Sequence, residues 1–176
     1  MKIALILTAS LLTLSLAHAG HHETKEPTTK TVIGTFYSDD GTANLIYAEN
    51  TDKQKIWLDY IQAHNDRDLE KIGNINAKDW ECYPESGEVI KGNASHIEFL
   101  ANWFKSPANP KWEVKWMIAN RGENDDGVVE HWLTTGNDIT FLDDGKNVLQ
   151  HHVHDVLFIG NSIKRINVYA RPEPRE

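Results

Sequence analysis

Cysteine is nearly absent from this chain of 176 residues: Cys82 stands alone, so no disulfide can form within it. Stability must come from a packed core or from a partner. A lone thiol is usually a small buried packing residue; it becomes a nucleophile only where a neighbouring base lowers its pKa. Positive charge is scarce as well. Against 26 Asp and Glu there are 18 Lys and Arg, a formal net charge of −8. That balance excludes a broad nucleic-acid surface, which needs clustered cations to displace counterions, and it disfavours docking on anionic lipid. Repeats and low-complexity tracts are missing too. What remains is ordinary for a globular protein: 40% hydrophobic residues, with six Trp, five Tyr and five Phe to build a core or line a pocket.

The N-terminus carries the clearest pattern. Lys2 precedes an apolar run from Ile3 to Leu16, and Ala17-His18-Ala19 supplies the small-x-small triplet of a signal peptidase site. The run is short for a membrane span, and no Cys follows it that could be lipidated. Residues 1–19 are therefore expected to be a signal peptide, and the mature chain a periplasmic or secreted protein with no membrane attachment. Residues 20–50 are polar and Thr-rich and read as a flexible leader. Within them Thr31–Tyr37 and Thr42–Tyr47 could pair around Ser38-Asp39-Asp40-Gly41.

Thr51-Asp52-Lys53-Gln54 fits a capping box, and Ile56, Trp57, Tyr60, Ile61 and His64 follow at helical spacing. Asn65-Asp66 breaks this helix, and a shorter one runs from Asp68 to Ile75. Asp79–Tyr83 reads as a strand, turned by Pro84–Gly87 into a short return at Glu88–Lys91. Ser95-His96-Ile97-Glu98 looks like a second capping box, opening a helix with Ile97, Leu100, Ala101 and Phe104 on its apolar face. Four strands then follow: Trp112–Asn120, Val128–Phe141 with a bend or bulge at Gly136, Asn147–Ile159, and Ile163–Ala170. An antiparallel sheet of this length needs helices over one face.

The densest chemical feature is His151-His152-Val153-His154-Asp155. Alternation puts His152 and His154 on one face and His151 and Asp155 on the other. A hairpin turning at Asp144-Gly145 would bring His131 beside His154 or His152, at the roughly 5 Å of cross-strand neighbours. Three readings stay open. One histidine is a general acid or base, since its pKa suits proton transfer near neutrality; or His131, His152 and His154 hold a metal; or all are polar packing residues. Trp57, Trp103, Trp112, Trp116 and Trp132 are core residues or a ligand platform. Arg165 and Arg171 could pair an acidic ligand or, more simply, surface carboxylates.

Three stretches carry a family likeness: Tyr60-Ile61-Gln62-Ala63-His64-Asn65-Asp66-Arg67-Asp68-Leu69-Glu70-Lys71-Ile72; Gly87-Glu88-Val89-Ile90-Lys91-Gly92; and His154–Ile159 followed by Ser162–Ile166. With their order they resemble the nuclear transport factor 2-like superfamily and, within it, the SnoaL-like proteins, over about Thr51 to Arg171. The resemblance implies an α+β domain over 51–172, a curved antiparallel sheet wrapped around three N-terminal helices to leave a cone-shaped pocket. It further implies a small, mostly apolar ligand, cofactor-free acid–base chemistry and a homodimer formed through the outer sheet face. The family holds isomerases, dehydratases, cyclases and epoxide hydrolases beside non-catalytic binding domains, so the fold alone licenses no reaction. Its polyketide cyclases place an acidic residue in the final strand, where Ile163–Tyr169 has none. Asp155 falls where relatives often carry Asp, and Asp79 and Tyr83 fall where relatives line the cavity mouth. Asp79 would be a base raised by burial or a simple cap. The candidates for proton transfer are thus His131, His152, His154, Asp155 and Asp79. Those for ligand contact are Tyr83, Trp132, Trp57, Trp103 and Asn167.

Overall fold

The stripe Trp57, Tyr60, Ile61, His64 is the buried face of helix α1, Asp52–Asp66. We describe the protein from a computed structural model that covers residues 30–172; the expected signal peptide, 1–19, lies outside the described residues. Thr51 makes no side-chain cap, so the capping box expected there is not formed; Gln54 N donates instead to the Thr51 carbonyl. The helix stops at Arg67, whose left-handed φ of 63° turns the chain. The Arg67 guanidinium donates to the carbonyls of His64 and Pro110, satisfying an end that would otherwise be bare. Asp68 then caps α2, Leu69–Ile75, by accepting from Lys71 N at 2.9 Å.

Strand β3, Asn76–Tyr83, leaves α2 without a loop and turns back as the two-residue β4, Ile90–Lys91. Helix α3, Asn93–Lys105, begins three residues earlier than a cap at Ser95 would have it, because Gly92 (φ 89°) makes the turn and Ser95 is already inside the helix. Asn93 spends its amide on the Gly73 carbonyl instead, tying α3 to α2. The long strands follow as β5 Lys111–Glu123, β6 Val129–Asp143, β7 Lys146–Ile159 and β8 Ser162–Pro172.

The described part of the expected leader, residues 30–50, enters the sheet, and the pairing expected around Ser38–Gly41 forms. Val32–Tyr37 and Ala43–Ala48, β1 and β2, form a hairpin whose Tyr47 and Ala48 pair with Arg121 and Asn120 of β5. Its strands bury alternate residues only partly, which is why a polar sequence suffices at this edge. Among the described residues eight strands lie in the order β1-β2-β5-β6-β7-β8-β3-β4. The sheet is open and mixed, not wholly antiparallel: β3 runs parallel to β8, with Cys82 opposite Ile166. Hydrophobic alternation along two strands distant in sequence carries no information about their relative direction, so this pairing is invisible before folding.

The helices cover one face of the curved sheet. Trp57, Ile72, Leu133, Val156 and Ile163 are sealed there, each contributing roughly 1.5–3 kcal/mol relative to exposure. The bulge expected at Gly136 is seated across from it, in β5, where the register slips between Val114 and Trp116. The Trp116 indole lies flat over Gly136, occupying the space a Cβ would need.

Candidate ligand cavity

A cavity of about 330 Å³ lies between the helices and the concave face of the sheet. Helix α1 contributes Trp57, Tyr60 and His64; α3 contributes His96, Leu100 and Trp103; β3 contributes Trp80 and Cys82. The floor is Ile139 of β6, His152 and His154 of β7, and Ile166 and Val168 of β8. Among the described residues its only carboxylates, Glu85 and Glu88, come from the segment joining β3 to β4.

Four histidines line a mostly apolar chamber. Burial disfavours their charged forms: it pushes His64 down to about 4 and His96 and His154 down to about 3, and it lowers His152 as well. All four are neutral imidazoles at pH 7. Burial, with Glu85 adding to it, pushes the Cys82 thiol up to about 12, so Cys82 is a packing residue and not a nucleophile.

Backbone carbonyls decide which nitrogen of two rings carries the proton. His64 Nδ1 lies 2.8 Å from the Tyr60 carbonyl, which can only accept; Nδ1 therefore holds the hydrogen and Nε2 keeps its lone pair. At His96 a relay of two amides sets the tautomer. Asn93 Nδ2 donates to the Gly73 carbonyl at 2.9 Å, which leaves Asn93 Oδ1 to accept from Asn76 Nδ2 at 2.9 Å. Asn76 Nδ2 also points at His96 Nδ1, 3.0 Å away, which must then accept, leaving the proton on Nε2. The Tyr60 hydroxyl donates to Asn76 Oδ1 at 2.9 Å, fixing the same orientation from the other side. Trp80 stacks on the His96 ring at 3.9 Å and holds its plane. On the floor, His152 Nε2 meets Gln150 Oε1 at 3.0 Å and its Nδ1 meets His154 Nε2 at 3.3 Å. His154 Nδ1 is buried without a partner.

The residues singled out from the sequence separate into three places. His152, His154, Trp57 and Trp103 line the cavity. Asp155, Trp132 and Asn167 lie on the other side of the sheet, in a groove of about 470 Å³ beneath Phe36 and Ile46 of the N-terminal hairpin. Asp155 accepts there from the Thr134 hydroxyl at 2.7 Å, and the Trp132 indole N–H donates to Glu130. The others are dispersed. Asp79 is exposed and ion-paired with Lys164, whose hydrogen bond lowers its pKa; it is not a base raised by burial. Tyr83 bonds Glu81 near the surface, and Arg165 pairs with Glu81 too. His131 is not beside His152 or His154. Asp143 faces Lys146 across the turn, so His131 faces Phe158, whereas Thr135 and Asn137 face His154 and His152. His131 bonds Glu49 at 2.9 Å instead. The three-histidine metal set is thereby broken, and among the described residues no three His, Cys, Asp or Glu side chains gather as a metal cluster.

Sequence reasoning passed over His64 and His96. Both sat in plain patterns: His64 seven residues after Trp57 on the buried stripe, His96 inside what looked like a cap. A histidine on an apolar helix face was the available signal.

No protein-family profile matches the sequence, and no curated protein matches it either. Solved structures do. A candidate ketosteroid isomerase from Kribbella flavida superposes with a TM-score of 0.56 at 16% identity, over 73% of this chain and 84% of that one. A nuclear transport factor 2-like protein of unknown function from Cytophaga hutchinsonii gives 0.51 at 16% identity, over 68% and 99%. The chain has the nuclear transport factor 2-like fold. An LEH-like epoxide hydrolase of M. tuberculosis shares that fold, with a TM-score of 0.56 at 11% identity over 69% of this chain and 84% of that one. At such identities the likeness is one of architecture.

Proposed function

We propose that this protein is exported, takes a small, mostly apolar molecule into its cone and performs cofactor-free proton transfer on it, as an isomerase, dehydratase or hydrolase would. The observation that carries the reading is the chamber itself: apolar walls, four neutral imidazoles and no carboxylate beyond Glu85 and Glu88. Such a surface suits an uncharged guest with few polar groups. An imidazole can take or give a proton within hydrogen-bond reach without a metal. Structural neighbours described as a ketosteroid isomerase and an epoxide hydrolase support the same class of guest. Export is supported by Lys2, the run Ile3–Leu16 and Ala17-His18-Ala19. Expression of the full chain in a bacterium, followed by fractionation and mass measurement, is expected to yield a periplasmic form beginning at Gly20.

Occupancy can be followed directly, because Trp57, Trp80, Trp103 and Trp112 line the cone. Neutral bicyclic to steroid-sized molecules should change their fluorescence saturably, and Leu100→Trp, which fills the cavity, should abolish the change. Turnover is tested with a β,γ-unsaturated ketone, monitored as the conjugated product, and with an epoxide, monitored as the diol. Binding without turnover of either would leave a ligand carrier, not an enzyme. Association into a homodimer is a second reading, favoured by Trp116, Ile118 and Tyr169. These are 44%, 53% and 58% exposed on the outer sheet face, an apolar patch of the kind that partners cover. Sedimentation of Ile118→Lys against the native protein distinguishes a dimer from a monomer.

A further inference from the structure

Resting on the reading of the cone as a ligand chamber, we propose that His64 and His96 form a hydroxyl clamp, and that the guest is an apolar molecule carrying a neutral alcohol or phenol. The two rings lie 5.9 Å apart between centroids, tilted by 35°, both on the chamber wall. Their Nδ1 atoms are committed to Tyr60 and Asn76. Their Nε2 atoms find no partner among the described residues and are not sealed from the chamber. The locks already described make these two free atoms opposites: His96 Nε2 presents a hydrogen and His64 Nε2 presents a lone pair.

One functional group answers both at once. A hydroxyl oxygen accepts from His96 Nε2–H while its own hydrogen goes to His64 Nε2. A ketone or an ether satisfies His96 alone and leaves His64 facing a second lone pair. A carboxylate brings net charge into a chamber where burial already holds the histidines neutral, and its acceptor-only oxygens confront His64. An ammonium offers nothing to His96. The remainder of the molecule meets Phe99, Leu100, Trp103 and Trp112, which are apolar. Nothing in the clamp titrates near neutrality, so it reads donor and acceptor geometry and not charge. A lost partner here leaves a buried polar atom unpaired, which is where hydrogen-bond selectivity is largest.

The test uses the whole protein and two probes of one shape, 2-naphthol and its methyl ether, titrated by calorimetry at pH 7. The naphthol is expected to bind about tenfold or more tightly than the ether, the difference a single unpaired buried group makes. His64→Phe should erase that advantage, whereas His96→Phe, which removes the hydrogen that both oxygens accept, should weaken both probes. Equal affinities for the two probes in the native protein overturn the clamp but keep the chamber as an apolar site, the histidines holding a water of their own. Failure of both probes to bind overturns the clamp and counts against the chamber as a site for guests of this size. Long-range proton–nitrogen NMR of the imidazoles is an independent check that needs no variant. It should report His64 as the Nδ1–H form and His96 as the Nε2–H form; the reverse for either ring overturns the proposal.

Discussion

The histidines on the chamber wall and those outside it are the same side chain put to opposite uses. His64, His96, His152 and His154 are enclosed, meet carbonyls, amides and one another, and are held neutral by burial. His131 and His151 are about one-third exposed, and each bonds a carboxylate: Glu49 at 2.9 Å and Asp138 at 2.7 Å. His151 and His152 are adjacent in sequence, so one step along a strand separates an imidazole bonded to a carboxylate from a desolvated one. The lesson is that the partner an imidazole finds here follows its place in the fold and not the residue type.

The sharpest way to break that contrast is to force charge into both settings. His154→Lys places an ammonium against Trp57 and His152 with no acid to meet it; a loss of at least about 3 kcal/mol in urea unfolding is expected, or outright failure to fold. His151→Lys, three residues away and still beside Asp138, should stay within about 1 kcal/mol of the native protein. Comparable losses in the two variants would refute the difference.

Acid tests the same contrast without mutation. In the unfolded chain these imidazoles take up protons near 6.5; in the native protein His64 does so near 4, and His96 and His154 near 3. Between those limits the unfolded chain binds more protons, so stability rises with pH. Their contribution is complete above about 6.5 and is lost as pH falls toward 3. The urea midpoint should therefore drop steadily between pH 6.5 and 4, and His64→Phe should flatten part of that slope. A midpoint constant across this window would mean the rings are hydrated.

A subtler change acts on the chamber from Asn76, behind its lining residues. Asn76→Asp replaces an amide that donates to His96 Nδ1 with a group that only accepts. The His96 proton should move to Nδ1, visible in its nitrogen shifts, and 2-naphthol should bind about tenfold more weakly. Smallest of all, His131→Ala should shift stability by less than about 1 kcal/mol, since its partner Glu49 keeps Arg121 at 3.8 Å.

Much of the fold was legible. The spacing of Trp57, Tyr60, Ile61 and His64 gave α1 and its buried face, and the Asp144-Gly145 and Gly160-Asn161 turns gave the long strands. The N-terminal hairpin was harder, because a partly exposed edge needs little hydrophobicity; its Asp40–Thr42 turn was the readable part. The site was legible only in pieces. His152 and His154 follow from alternation, but placing His131 near them miscounted the turn: with Asp143 opposite Lys146, its partner is Phe158. His64 and His96 come together only through the packing of α1 against α3 and β3, a tertiary fact that no local spacing encodes. Asp155 and Asn167 do face each other across β7 and β8, but on the sheet surface away from the chamber.

The Gly73 carbonyl stands at the far end of a relay, through Asn93 and Asn76, that ends at His96. Since each amide passes its orientation to the next, the selectivity of the chamber is stored partly at a helix junction that no guest reaches. A designer wishing to invert that preference could leave every wall residue in place and rewrite the message at its source.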